Sequence, residues 1–218
     1  MIKQFLKYIR LQVALLTKGR LFFRVYLHHE KMKNYNLPLK EYWDKMSVPI
    51  SQHHIDKPYD LDYLLLLAEI INNEDIVEIL EVGCSCGMNL IWLDKKTEAS
   101  YFGVDLSDTA VQIGVKRFPH IGMAQMDLIK DEPLRHKFGL VFSRATLQHI
   151  PPQEIEQVFK KVCSMSSNKL VVYEASGKPF GKVPDSRATF RHDYERLIPE
   201  NGFEIQYKQG KAWVCRRM

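Results

Sequence analysis

The chain has 218 residues, 45% of them hydrophobic and 26% charged, which suits one packed domain with an extension and argues against a disordered tract. Its net charge of +5 is uneven: residues 1–33 hold eight Lys or Arg against Glu30, or +7, so the other 185 residues carry −2 (5 minus 7). Four cysteines (Cys84, Cys86, Cys163, Cys215), none in a zinc-finger pattern, argue against a disulfide framework and predict a reduced, cytoplasmic-type protein.

In the basic leading segment Ile2, Phe5, Leu6, Ile9, Val13 and Leu16 recur at helical spacing, with Lys3, Lys7 and Arg10 between them. Its longest uncharged stretch, residues 11–17, has seven residues, far short of the roughly 18 a spanning helix needs, and no small-residue cleavage site follows it. Three readings stay open: a helix packed on the domain, a helix lying on an anionic membrane surface, or contact with nucleic-acid phosphates. The last is disfavoured, because no interleaved basic and aromatic pattern continues into the body.

Residues 38–60 contain Pro38, Pro49 and Pro58 and read as short helix and loop, and Asp60 can cap a helix over 61–72. Strands and helices then alternate. Strands are predicted at 79–82, 101–104, 122–126, 138–142 and 170–173. Helices fall at 87–95, after the N-cap candidate Ser107, after Pro151 and Pro152, and near 193–199. Segments 203–207 and 212–215 flank Gln209-Gly210 and read as a hairpin. This order predicts an α/β protein, a doubly wound, mostly parallel sheet with helices on both faces. Ligands on such sheets bind at the carboxyl ends of the strands.

Glu81, Gly83, Asp105, Asp127 and Ser143 all fall at predicted carboxyl ends. Small residues at Gly83, Ser85 and Gly87 would let the backbone approach a ligand closely, and the helix that follows offers free N–H groups. Asp105 could accept both hydroxyls of a ribose, in a nicotinamide dinucleotide or in S-adenosylmethionine. The bend lacks a glycine three residues after Ser85, so it does not match the Gly-x-Gly-x-x-Gly of dinucleotide sites.

With these motifs in place, residues 76–208 resemble class I S-adenosylmethionine-dependent methyltransferases. The resemblance is carried by Leu-Glu-Val-Gly-Cys-x-x-Gly from residue 80, Gly-Val-Asp-Leu-Ser at 103–107, Met-Asp-Leu at 126–128, and Leu-Val-Phe-Ser at 140–143 followed by Leu147, His149, Ile150 and Pro151. It implies a Rossmann-like, seven-stranded sheet with an antiparallel C-terminal hairpin. It also implies a division into residues 1–60, a basic helical N-terminal extension or lid, and residues 61–218, the cofactor-binding domain. By the same resemblance Gly83, Cys84 and Ser85 would line the methionine portion, with Glu81 beneath. Asp105 would bind the ribose, Leu106 would lie against the adenine, and Asp127 with the Leu128 backbone would read the adenine edge. Ser143 would offer backbone near the sulfonium, and Tyr42 and Trp43 resemble an aromatic lid. Two positions depart from the pattern: Ser85 stands where a glycine often falls, and Gly139 replaces a frequent Asp.

Methyl transfer to a hydroxyl needs alignment and removal of a proton. His149 is the first candidate base, with His192 and Tyr173 behind it, and Arg187 with Arg191 could hold an anionic acceptor. No Asn/Asp-Pro-Pro-aromatic run and no Pro-Cys follows strand four, which disfavours methylation of nucleobases. Ser143 stands where a magnesium-binding Asp would be expected, and the His53, His54 and Asp56 cluster reads as loop surface, so no metal is expected. The expected function is O-methylation of a small-molecule or glycan-like acceptor, carried out in the cytoplasm. The basic arm could place that acceptor at the inner face of a membrane. The alternatives are a methyltransferase-like binding module without turnover and an NAD-dependent oxidoreductase.

Overall fold

The computed structural model describes residues 38–53, 61–175, 177, 181–182 and 189–218. The basic leading segment, His54, Asp56 and Arg187, and the side chain of His53, lie outside this description. Helices α1 (Leu39–His53) and α2 (Leu61–Asn73) precede the sheet. The alternating part follows as β1 (Glu78–Val82), α3 (Met88–Asp94), β2 (Ser100–Asp105), α4 (Asp108–Arg117), β3 (Gly122–Gln125), β4 (Phe138–Arg144), α5 (Ile155–Ser164) and β5 (Ser166–Tyr173). A short antiparallel pair, β6 (Gly181–Lys182) and β7 (Phe190–Arg191), leads to α6 (Tyr194–Glu200) and the hairpin β8 (Phe203–Gln209) and β9 (Ala212–Arg217).

The main sheet has seven strands in the order β3-β2-β1-β4-β5-β9-β8. The first five are parallel, and β9 runs antiparallel between β5 and β8, so the expected architecture is borne out. Side chains alternate across the sheet and divide the interior into two cores. Leu80, Val82, Val141, Leu170, Val172 and Trp213 face α5 and α6, while Ile79, Leu140, Phe142, Val171 and Val214 face α2 and α3. Chain order reverses at β1, whose neighbours are β2 and β4, and this opens a crevice at the carboxyl ends of those strands.

The structure departs most from the sequence reading in three places. Helix α1 continues through Pro49, in a segment expected to be short helix and loop; burial of Tyr42 and Met46 against the body supplies the packing that outweighs a poor helix former. Strand β5 begins at Ser166 rather than at residue 170. Its polar start hides the strand, but Lys169 is fully buried, paired with Glu74 at 2.6 Å and hydrogen-bonded to Gln206. The β6–β7 pair lies where a loop was expected. Among the described residues no helix is long and apolar enough to cross a membrane.

Candidate active site

The chain leaves β1 through Gly83, whose φ is +79°, a left-handed conformation that favours glycine. The N–H groups of Gly83 and Cys84 both donate to the carbonyl of Val104 on β2, at 2.7 and 3.0 Å. A Cβ at Gly83 would stand 1.9 Å from Thr146 Oγ1, so the turn after β4 presses directly on the bend. Ser85, where the methyltransferase pattern often has glycine, adopts φ +50°. Such a conformation costs roughly 1–2 kcal/mol for a side-chain-bearing residue. It is held by Ser85 N–H donating to Asp105 Oδ2 at 2.8 Å. Gly87, at φ +78°, closes the bend and starts α3.

Asp105 is the hub of the crevice. Its Oδ1 accepts from Ser107 N–H at 2.8 Å, so each carboxylate oxygen keeps capacity for a further bond. Burial pushes its pKa up, and the two N–H donors pull it down. Ser107 caps α4 through Ala110 N–H, as predicted, and its hydroxyl donates to Asp44 Oδ1 at 2.7 Å. Burial raises the Asp44 pKa, but the bonds from Ser107 and Lys40 outweigh it and leave the carboxyl below its ordinary value. Asp44 thereby fastens α1 to the start of α4, beside Asp105.

Between α1 and the strand tips lies a cavity of about 450 Å³. Gly83, Cys84, Ser85, Asp105 and Leu106 line it from β1 and β2, Asp127 and Leu128 from the turn after β3, and His149 from the turn after β4. Asp127 anchors its own turn, accepting from Ile129 N–H at 3.1 Å and lying 3.3 Å from Lys130 Nζ. His149 rests against Trp43, with ring centroids 4.9 Å apart.

Other expected residues stand elsewhere. Tyr42 is buried and packs edge-on against Trp43; it is Trp43, one position on and so turned about 100° around the helix, that faces the cavity with Leu39 and Ser47. Ser143 points inward, and the wall after β4 is made by Arg144, Ala145 and Thr146 instead. Tyr173 lies outside the cavity, packed on Tyr63 at 4.7 Å with the Arg144 guanidinium over its ring. His192 is also outside, buried between Phe190 and Tyr194 and facing the backbone of Leu147 and Ile150; burial lowers its pKa. Neither Tyr173 nor His192 lines this cavity. Among the described residues no group of three His, Cys, Asp or Glu could hold a metal ion.

Glu81 lies beneath the bend, fully buried, with Oε1 accepting from Asn89 at 2.7 Å and Oε2 without a hydrogen bond among the described residues. Burial pushes its pKa up to about 8 against the pull of Asn89 and Arg144. Glu174, one residue past β5, is likewise buried, with its pKa raised to about 7. Both groups hold protons in the folded state at pH values where the unfolded chain, with carboxyl groups near 4.5, has released them. Stability is therefore expected to fall as pH rises from about 4.5 to 8. The thermal midpoint, measured between those limits, should decline, and Glu81→Gln should flatten the decline.

Several lining or supporting residues were missed. Glu174 carries a usable signal, an acid at the end of a predicted strand like Glu81, Asp105 and Asp127. Asn89 stands in the first turn of the helix after the bend, a place where a polar side chain can reach back to Glu81. Asp44 and Thr146 carry none, since their roles come from contacts made across the fold.

Residues 79–168 match the family model described as a methyltransferase domain. No curated protein matches the chain in sequence. Magnesium protoporphyrin IX methyltransferase (ChlM) from Synechocystis PCC 6803, solved with S-adenosylhomocysteine, is similar with a TM-score of 0.60 and 14% identity, over 97% of this chain and 100% of that one. CalS10, an amino pentose methyltransferase from Micromonospora echinaspora solved with S-adenosylmethionine, gives 0.58 and 14%, over 85% and 100%. The sugar N-methyltransferase KedS8 from Streptoalloteichus sp ATCC 53650 gives 0.56 and 15%, over 74% and 93%. The resemblance read from the motifs is borne out over residues 79–168 by the family model, and the chain has the fold of these methyltransferases.

Proposed function

We propose that the chain is an S-adenosylmethionine-dependent methyltransferase that methylates an oxygen of a small-molecule or glycan-like acceptor. The observation that carries this reading is Asp105, held at the tip of β2 by two backbone N–H groups, with an open acceptor position on each oxygen toward the cavity. The residues present fit the cofactor: Asp105 for the ribose, Leu106 and Leu128 for the flat apolar base, Asp127 for its amine. Glu81, buried beneath the bend, orients Asn89, which lines the cavity at the methionine end. When bound, S-adenosylmethionine supplies an activated methyl group on a good leaving group. The protein then has to align the acceptor, exclude water and accept one proton.

His149 faces the cavity against Trp43 and is the residue proposed to take that proton. Replacing His149 by Ala is expected to slow transfer by about 10²–10⁴-fold while leaving S-adenosylhomocysteine affinity unchanged. An unchanged rate would remove it as the base. Trp43 offers an aromatic wall for a sugar ring, which agrees with the sugar acceptors of the structural neighbours CalS10 and KedS8. Residues 1–60 serve in this reading as extension and lid to the domain of residues 61–218. Residues 1–33 add a basic arm for a membrane-linked acceptor: the full chain should sediment with anionic vesicles, and a chain lacking residues 1–33 should not.

Thermal shift separates this reading from the oxidoreductase. S-adenosylhomocysteine at 100 times its dissociation constant should add about 2.7 kcal/mol of stability, and NAD should add none. Methyl-label transfer from S-adenosylmethionine into a cell extract separates enzyme from binding module, and no label in any fraction would favour the binder.

A further inference from the structure

Glu174 makes no part of the cavity wall, yet its carboxyl binds the backbone of a stretch that does. Its Oε1 accepts from Thr146 N–H at 3.0 Å and Leu147 N–H at 3.1 Å, and its Oε2 accepts from Gln148 N–H at 3.1 Å. Gln148 returns the contact, its side-chain oxygen accepting from Ala175 N–H at 3.0 Å, while Ala145 N–H donates to Tyr173 O at 2.9 Å. The stretch 145–148 is therefore laced to 173–175 by five bonds, three of them to one buried carboxylate.

The laced stretch cannot hold itself. Ala145 adopts φ +53°, and the single 3-10 turn Leu147–His149 that follows is too short to be stable alone. The first N–H groups of any such turn have no partner within it. Glu174 supplies that partner from a neighbouring strand. Ala145 and Thr146 on this stretch line the cavity, Thr146 packed against the bend at Gly83, and His149, the residue that follows it, lines the cavity against Trp43.

We propose that Glu174 is a positioning residue for methyl transfer, its carboxylate setting where His149 and Thr146 stand relative to the bend at Gly83. The proposal rests on the reading of the cavity given above. It assigns Glu174 a role in the chemistry beyond general stability, because the three bonds act on the residues that lead directly into the proposed base.

The test uses the full chain with Glu174→Gln, which keeps shape and reach but replaces one accepting oxygen by a donor. Glu174→Asp, which keeps the charge but withdraws it by one methylene, takes its place if the Gln variant does not fold. Calorimetric titration with S-adenosylhomocysteine, amide exchange at residues 146–148, and an NMR titration of the His149 ring, assigned with His149→Asn, are read together. The variant should bind S-adenosylhomocysteine within about threefold of the wild type. Its amides at 146–148 should exchange about 100-fold faster. The His149 ring signals should move and their titration midpoint shift by about 0.3 pH unit or more. A variant that loses thermal stability but leaves the His149 titration in place would overturn the proposal and leave Glu174 a structural residue. Failure of the wild type to bind S-adenosylhomocysteine would instead remove the reading of the cavity, and the proposal with it.

Discussion

Replacing Asp105 by Asn should weaken S-adenosylhomocysteine binding by about 100-fold or more. A hydrogen bond to a charged acceptor contributes about 1.5–3 kcal/mol, and two ribose hydroxyls would share this carboxylate. Asn keeps one accepting oxygen and offers an N–H₂ in place of the other. That N–H₂ would face either Ser85 N–H or Ser107 N–H, which now donate to Asp105 at 2.8 Å each. One buried donor then loses its partner, at roughly 1–3 kcal/mol of stability. Isothermal titration and chemical denaturation read the two effects separately. Asp127→Asn should lose far less, about tenfold, because part of the Asp127 carboxylate is already engaged by Ile129 and Lys130.

Gly83→Ala is expected to be the most damaging single change to the fold of the site. The backbone there is at φ +79°, and the new Cβ would meet Thr146 Oγ1 at 1.9 Å and Thr146 Cγ2 at 2.3 Å. The conformation costs about 1–2 kcal/mol for alanine. Overpacking adds about 1–3 kcal/mol. Thr146 cannot retreat freely, because its N–H is bound to Glu174. A loss of about 2–5 kcal/mol is a large share of a total near 5–15 kcal/mol. Urea denaturation should show it, and Thr146→Ala in the same chain should restore only part of the overpacking loss, because the Cβ of residue 146 would still stand 2.6 Å from the new one, a coupling that a double-mutant cycle isolates.

The sheet was legible because buried parallel strands are short apolar runs bounded by turn formers, and Ile79 to Val82 or Leu140 to Phe142 show this plainly. The hairpin was legible from two alternating segments on either side of Gln209-Gly210. The start of β5 was not, because Lys169 is a charged residue in a buried place, tolerable only beside Glu74 and Gln206, which come from distant segments. Acids at strand ends placed Asp105 and Asp127 in the crevice. The same rule extends to Glu174, which follows the predicted strand 170–173.

Side-chain direction within an element was harder. Tyr42 and Trp43 are equally aromatic, and only the seating of α1, fixed by Asp44 on Ser107, turns Trp43 to the cavity. Ser143 and Arg144 differ in the same way at the end of β4, where alternation sends one inward and the next to the wall. Tertiary packing holds His192 and Tyr173 away from the cavity.

The central claim is that adenosine lies across the tips of β1, β2 and β3 with its ribose on Asp105. A crystal of the full chain soaked in S-adenosylhomocysteine tests it most directly. The ribose hydroxyls should lie within hydrogen-bond distance of both Asp105 oxygens, with the sulfur beside the bend formed by Gly83, Cys84 and Ser85. Density for the ligand elsewhere on the protein, or a crevice left empty in saturating ligand, would contradict the account.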